Sequence, residues 1–267
     1  MHSPESVDVI DPRAAIDPAA ELAEGVKVGP FAVIGADVQI GAGTQIGPHV
    51  VIHGPSKIGC DNRIFQFASI GEDPQDKKYA GEHTRLEIGD RNQIREFTTI
   101  HRGTVQDESL TAIGSDNLLM AYTHVAHDCR IGDNVIMANA ASLGGHVHIG
   151  DWAILGGFSI VHQFCRVGAH CFTAMGSVIS KDVPPYVLVG GHPAKPHGIN
   201  SEGLRRRDFS GDQISAIKRA YKTLYTAGLP LATARQQIVQ SADAPDATGE
   251  LRLLADFLAA SERSIVR

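Results

Sequence analysis

Residues 28–59 read VGPFAVIGADVQIGAGTQIGPHVVIHGPSKIG. Val28, Ile34, Ile40, Ile46, Ile52 and Ile58 recur at every sixth place, and Gly29, Gly35, Gly41, Gly47 and Gly59 follow five of them. A period of six fits neither the 3.6-residue repeat of a helix face nor plain strand alternation. It is the mark of a solenoid, in which short strands wind into coils and each coil buries its apolar side on the next. Outward from this stretch, the same place is held by Ile10, Ile16 and Leu22 on one side and by Ile64 and Ile70 on the other. It continues through Ile88, Ile94 and Ile100, then from Ile113 to Ile179, where Thr173 alone is not apolar. Three hexads make one coil and coils stack ~4.8 Å apart, so the pattern predicts about nine coils. Glycine after the aliphatic fits a repeated corner where a side chain would collide or where φ must be positive.

The chain has 267 residues, 43% hydrophobic and 20% charged, an ordinary soluble composition. A net charge of −6 argues against general nucleic-acid binding. No apolar run is long enough to span a bilayer, and MHSPESVDVI lacks the basic and apolar regions of a secretion signal. A cytoplasmic protein without an integral membrane segment is the expectation. Of the four cysteines, Cys129, Cys165 and Cys171 take the fifth place of a hexad, otherwise given to small residues. They read as buried, reduced thiols, and no CxxC pair suggests a structural metal.

Two stretches break the repeat: 71–87 keeps the length of three hexads without the pattern, and Ile100 and Ile113 lie 13 residues apart. Outward loops near 71–87 and 101–112 follow, and loops on a rigid scaffold commonly carry function. The solenoid ends near 183, and Pro184-Pro185 and GGHPAKPHG (190–198) read as a linker. Helices are predicted over 211–227 (capped by Ser210, stopped by Gly228), about 231–241 and about 247–262. The domain division is therefore 1–190 for the β-solenoid and 191–267 for a helical domain that also covers the solenoid's end.

Histidines stand out on consecutive coils: His124 and His127, then His146 and His148, then His162 at a place usually held by glycine. Their spacing puts His127 and His146 one coil plus one place apart. Such a cluster suits either a zinc site with an open position or a proton-transfer site. His127-Asp128 offers a base beside a carboxylate, although neighbours on a strand face opposite sides. Gly145 lies one coil beyond His127, where a backbone N–H could steady an oxyanion. Arg205, Arg206, Arg207, Lys218, Arg219 and Lys222, against Glu202, Asp208 and Asp212, form a locally basic tail suited to a phosphate or an acidic partner.

Several segments are specific enough to carry a family resemblance: IFQFASIGE (64–72), QDKKYAGE (75–82), IHRGTVQ (100–106), GSDNLLMAYTHVAHDC (114–129), GGHVHIGDWAILGG (144–157), VHQFCRVGAH (161–170), DVPPYV (182–187) and GINSEGLRRRDFS (198–210). Together they resemble, essentially end to end, the bacterial UDP-N-acetylglucosamine O-acyltransferases that open lipid A synthesis. The resemblance implies a mainly β fold, a left-handed parallel β-helix of hexapeptide repeats with a C-terminal helical domain. It implies transfer of an (R)-3-hydroxyacyl chain from the phosphopantetheine of acyl carrier protein to the 3-hydroxyl of UDP-GlcNAc, without metal or other cofactor. His127 would be the general base, Asp128 its orienting partner and the Gly145 backbone the oxyanion donor. Sugar and phosphopantetheine contacts would fall on Asp76, Lys78, His124, His146, His162 and Gln163, and uridine and phosphate contacts on Asn200, Glu202, Arg206 and Arg207. Homotrimers with clefts between neighbouring subunits are implied, the 71–87 loop reaching a neighbour. Met175 falls on the family's acyl-chain ruler, where glycine goes with long chains, so a chain of about ten carbons is expected, although packing alone could explain a methionine. GGHPAKPH diverges from common family forms, so His192 and His197 carry no site assignment.

Two rivals remain at this stage. The N-acyltransferase of the same pathway usually carries an additional N-terminal uridine-binding domain, for which a repeat starting by residue 10 leaves no room. A γ-class carbonic anhydrase would need stoichiometric zinc on the histidine cluster.

Overall fold

The computed structural model describes residues 10–244 and 249–267, and the chain divides into two compact units, Met1–Ala140 and Ala141–Arg267. In the first unit the hexads form three parallel sheets, each of six strands among the described residues. Pairing sets like on like. One column runs Ile16, Ile34, Ile52, Ile70, Ile100 and Val125. A second runs Leu22, Ile40, Ile58, Ile88, Ile113 and Ile131. The third runs Val28, Ile46, Ile64, Ile94, Leu119 and Met137. From Val28 onward every one of these side chains is buried. Strands this short have almost no stability alone, so burial by neighbouring coils holds the unit together.

The columns agree with an outward loop at the first interruption and narrow its bounds. Ile70 pairs with Ile100, so residues 71–87 form no coil of their own. They make a single step between strands Ser69–Glu72 and Arg85–Ile88, with an excursion over 73–84. The second excursion spans 102–109, between Thr99–His101 and Leu110–Ile113. Both loops are shorter than the pattern break, because the flanking residues extend the strands.

The corners also differ from expectation in one respect. The glycines after the aliphatics are there for space, and Gly71 is the one among them recorded at positive φ. A Cβ on Gly41 would lie 2.6 Å from the carbonyl carbon of Gly59 and 2.8 Å from the nitrogen of Cys60. The left-handed residue comes two places later and is seldom glycine: Phe31, Asp37, His49, Asp61, Phe67, Phe97, Tyr122 and Asp128 all have φ between 55° and 64°. Such a conformation costs an ordinary residue of order 1 kcal/mol, so each coil must recover it through its contacts. One corner does so with an aromatic ladder, Phe31, His49, Phe67, Phe97 and Tyr122, each ring 4.8–5.3 Å from the next. Another uses asparagines. The Asn62 Oδ1 accepts from the backbone N–H of Asn92 at 2.9 Å, the Asn92 Oδ1 from Asn117 at 2.9 Å, and the Asn117 Oδ1 from Val135 at 2.6 Å.

In the second unit the coils continue from Ser142–Leu143 to Val178–Ile179. Thr173, the polar exception, is buried with its hydroxyl 2.7 Å from that of Ser159, so the break in the pattern is satisfied inside the core. Cys129, Cys165 and Cys171 are buried, and burial pushes the thiols of the last two up to about 11 and about 12. The stretch read as a linker is a β-hairpin: Val187–Gly190 pairs antiparallel with Lys195–Ile199, so β-structure runs past residue 190.

Four helices follow among the described residues, α1 (Ser201–Arg205), α2 (Gly211–Tyr225), α3 (Leu231–Ala242) and α4 (Gly249–Ala260). Ser210 and Gln213 form a capping box at the start of α2, and Gly228 is left-handed beyond its end. Of the helix expected over about 247–262, residues 247 and 248 lie outside the described residues, as does most of the MHSPESVDVI segment. The helices enclose a core with Tyr186 of the last coil, including Leu204, Ile217, Leu224, Ile238, Leu254 and Leu258. Asp182 ties that coil to the chain end, accepting from the Ser261 hydroxyl at 2.7 Å and pairing with Ile265. Among the described residues no helix is long and apolar enough to cross a membrane.

Gly41→Ala is expected to destabilise the protein by about 1–3 kcal/mol through the backbone collision. Gly211→Ala, with open space around it, should stay within about 0.5 kcal/mol of wild type. Asn92→Ala should cost about 1–3 kcal/mol, since it leaves the buried Asn117 N–H without its acceptor. Urea unfolding of the three variants beside wild type measures all of this.

Candidate active site

His127 and Asp128 sit at a corner, not on a strand. Asp128 is left-handed with φ 60°, which turns its carboxylate back toward its neighbour. The His127 Nδ1 lies 2.8 Å from Asp128 Oδ2, so the expectation that the two face apart is overturned by the corner conformation. The Asp128 carboxylate is buried and also accepts from the Thr104 N–H at 2.8 Å (Oδ1) and the Thr104 hydroxyl at 2.6 Å (Oδ2). A carboxylate can only accept, so Nδ1 carries the imidazole proton and Nε2 is the basic nitrogen. With 14% of its side chain exposed, His127 remains within reach of a ligand.

Two more imidazoles line this part of the first unit. The His124 Nδ1 is 2.7 Å from the Thr99 hydroxyl on the preceding coil. His101, which the sequence reading passed over, stands edge-on to His124 with ring centroids 5.1 Å apart. Burial, then the neighbouring His124, lowers the His101 pKa to about 4, and burial followed by His127 lowers that of His124. The site thus keeps these two rings neutral beside His127. His101 occupies a place where glycine is usual, which was the available signal.

Asp76 and Lys78 are both in the 73–84 excursion, with the Asp76 Oδ1 accepting from the Lys78 N–H at 3.0 Å. The excursion is held at its base by the buried Arg102, whose guanidinium donates to the Gly71 carbonyl, to Asp73 and, at 3.2 Å, to the Tyr79 hydroxyl. Arg102 was likewise not singled out from sequence.

The remaining candidates belong to the second unit. The Gly145 carbonyl accepts from Phe164 at 3.0 Å, and the His146 ring stacks on Phe164 at 4.4 Å. His162 and Gln163 are exposed, and the His162 Nδ1 is 3.1 Å from an Arg263 nitrogen. Met175 is 82% exposed, so no packing within the chain accounts for it. Asn200 is buried and already employed: its side chain accepts from Gly203 at 3.1 Å, capping α1, and donates to the His170 carbonyl at 3.0 Å. Glu202 pairs with Arg206 at 3.1 Å on the exposed face of α1. Arg207 turns away from them, lying over the Trp152 ring at 5.1 Å with a nitrogen 3.2 Å from His170 Nδ1. The two adjacent arginines are therefore not a matched pair: Arg206 is exposed and Arg207 is packed.

Comparison with known proteins gives a consistent result. The family model "Udp N-acetylglucosamine O-acyltransferase; Domain 2" matches residues 182–266, and the bacterial transferase hexapeptide model matches 19–54 and 111–145. The acyl-[acyl-carrier-protein]–UDP-N-acetylglucosamine O-acyltransferase of Janthinobacterium sp. (strain Marseille) is 58% identical over 98% of this chain and 100% of its own. That of Thiobacillus denitrificans is 56% identical over 97% and 99%. The solved structure of LpxA from Acinetobacter baumannii superposes with a TM-score of 0.94 at 50% identity, covering 97% of this chain and 100% of that one.

The neutral histidines give a pH prediction. A histidine whose folded pKa is depressed leaves stability unchanged above about pH 6.5, where both states are neutral. Below that the unfolded state takes up the proton first, so stability falls with pH until about 4 for His101. His101→Gln should flatten the decline by up to about 1.4 kcal/mol per pH unit in that window, measured by urea unfolding at pH 7.5, 6 and 5. Parallel curves for variant and wild type would contradict the assignment.

Proposed function

Since the chain belongs to the acyl-[acyl-carrier-protein]–UDP-N-acetylglucosamine O-acyltransferase family, whose reaction it carries out in lipid A biosynthesis, we propose that His127 is the general base of that transfer. The observation behind this reading is the buried Asp128 carboxylate fixing Nδ1–H and leaving Nε2 to act. Nε2 removes the proton from the 3-hydroxyl of the sugar as that oxygen attacks the thioester carbonyl. The C–O bond forms, the C–S bond breaks, and the imidazolium returns the proton to the departing phosphopantetheine thiolate. Asp128 stabilises the imidazolium, and the Gly145 backbone N–H steadies the oxyanion.

The family resemblance supports the remaining roles. Asp76, Lys78, His124, His146, His162 and Gln163 contact the sugar and the phosphopantetheine arm. Asn200, Glu202, Arg206 and Arg207 form the uridine and phosphate region. The exposed Arg206 is best suited to a phosphate, while Asn200 and Arg207 shape the region through the bonds they already make. Two functional parts follow, a β-helix over 1–190 for acyl transfer and 191–267 for nucleotide recognition. The working form is a cytoplasmic homotrimer that meets acyl carrier protein and requires no metal. A methionine held out in solvent at Met175 supports the ruler reading, with a preferred (R)-3-hydroxyacyl chain of about ten carbons.

His127→Ala should lower acyl transfer to UDP-GlcNAc by ~10²-fold or more, with wild-type turnover unchanged in chelator. Full activity in the variant would sink the base assignment, and loss in chelator would redirect attention to zinc. With 3-hydroxydecanoyl and 3-hydroxymyristoyl carriers, wild type should prefer the shorter chain and Met175→Gly the longer. A wild-type preference for fourteen carbons would refute the ruler.

A further inference from the structure

The 102–109 excursion leaves the hexapeptide register, and its first buried residues end on the Asp128 carboxylate. Gly103 makes the approach possible, because a side chain there would run into the backbone of Ser109 and Leu110. The loop then closes on itself, the Thr104 carbonyl accepting from Asp107 at 3.2 Å and from Ser109 at 3.1 Å. Thr104, wholly buried, thereby gives both its donors to Asp128, N–H to Oδ1 at 2.8 Å and hydroxyl to Oδ2 at 2.6 Å. On the far side of the excursion Thr111, also buried, accepts the Asp128 N–H at 2.8 Å. The carboxylate is thus held at both oxygens, and its backbone is held as well, by residues flanking one inserted loop.

We propose that Thr104 is a positioning residue for the acyl transfer, and that the 102–109 loop is retained to deliver it. The inference rests on the reading of His127 as the base. Two donors share Asp128 Oδ2, the Thr104 hydroxyl and the His127 Nδ1–H. The first fixes the direction in which the second can point, and so aims Nε2. It also tempers the carboxylate, since a hydrogen bond draws off part of the charge that stabilises the imidazolium. Without it the oxygen attracts the imidazole proton more strongly and the ring swings more freely.

The test compares Thr104→Val, Thr104→Ser, His127→Ala and the His127→Ala/Thr104→Val double variant, with kcat and KM for UDP-GlcNAc measured across pH. Thr104→Val should lower kcat about tenfold with KM little changed, the fold-change a hydrogen bond to a charged group supports. It should also move the acidic limb of kcat/KM to higher pH. Thr104→Ser should restore both, and the double variant should be no slower than His127→Ala alone. Unchanged kcat and pH limb in Thr104→Val would overturn the proposal, as would a serine variant as impaired as valine or further loss in the double variant. An active His127→Ala would instead overturn the base assignment beneath it, so the two failures are distinguishable.

Discussion

Parallel pairing in fixed register, aliphatic over aliphatic from coil to coil, is the constraint on which this molecule depends. In a strand two residues long, a slip by one place would turn every aliphatic outward and leave the interior empty. The aliphatic pairs of the three columns in the first unit keep that register, and the shift between Ser69–Glu72 and Thr99–His101 falls beyond Ile70, where Gly71 is the additional residue. Additional chain can leave only at a corner and must return to the same register, as 73–84 and 102–109 do. Those excursions carry Asp76, Lys78, Arg102 and Thr104, while His124, His127 and Asp128 sit on the regular coils. The rigidity of the ladder is what lets loops hold chemical groups with hydrogen-bond accuracy.

The same constraint shapes the base. Corners turn through left-handed residues, and at Phe31, His49, Phe67, Phe97 and Tyr122 that residue packs a ring. At Asp128 the turn folds a carboxylate back onto the preceding imidazole. Adjacent residues, which would diverge along an extended strand, come within 2.8 Å of one another, as the proposed base and its partner require. Burial of the carboxylate would be costly unless its oxygens were satisfied, and the Thr104 N–H, the Thr104 hydroxyl and His127 supply that satisfaction, while Thr111 accepts from the Asp128 backbone N–H. Neutral His101 and His124 avoid adding positive charge beside it.

Much of the fold was legible because a six-residue period is a direct image of coil geometry, and the helical tail followed from Ser210, Gly228 and apolar spacing. Geometry that depends on pairing across coils was not legible. The lost pattern over 71–87 marks an outward loop, whereas its limits at 73–84 needed the pairing of the flanking strands Ser69–Glu72 and Arg85–Ile88. The hairpin at 187–199 hid behind its prolines and glycines, which signal a turn and a linker equally well. Among the candidate residues, His127 was visible as a departure from the repeat, and Met175 only through the family resemblance. Thr104 was not, because a threonine in an irregular loop has no sequence signal of what it touches. The split between an exposed Arg206 and a packed Arg207 likewise needed the position of Trp152.

The claim at the centre of this account is that Asp128 holds the His127 proton on Nδ1 and leaves Nε2 to do the chemistry. Nitrogen-15 NMR of histidine-labelled protein, assigned by difference from His127→Gln, reads that tautomer directly. The account predicts, above the titration of the ring, a protonated Nδ1 and an unprotonated Nε2 for His127. A proton on Nε2 in the neutral ring would contradict it, because the nitrogen facing the substrate would then have none of the basicity that the transfer requires.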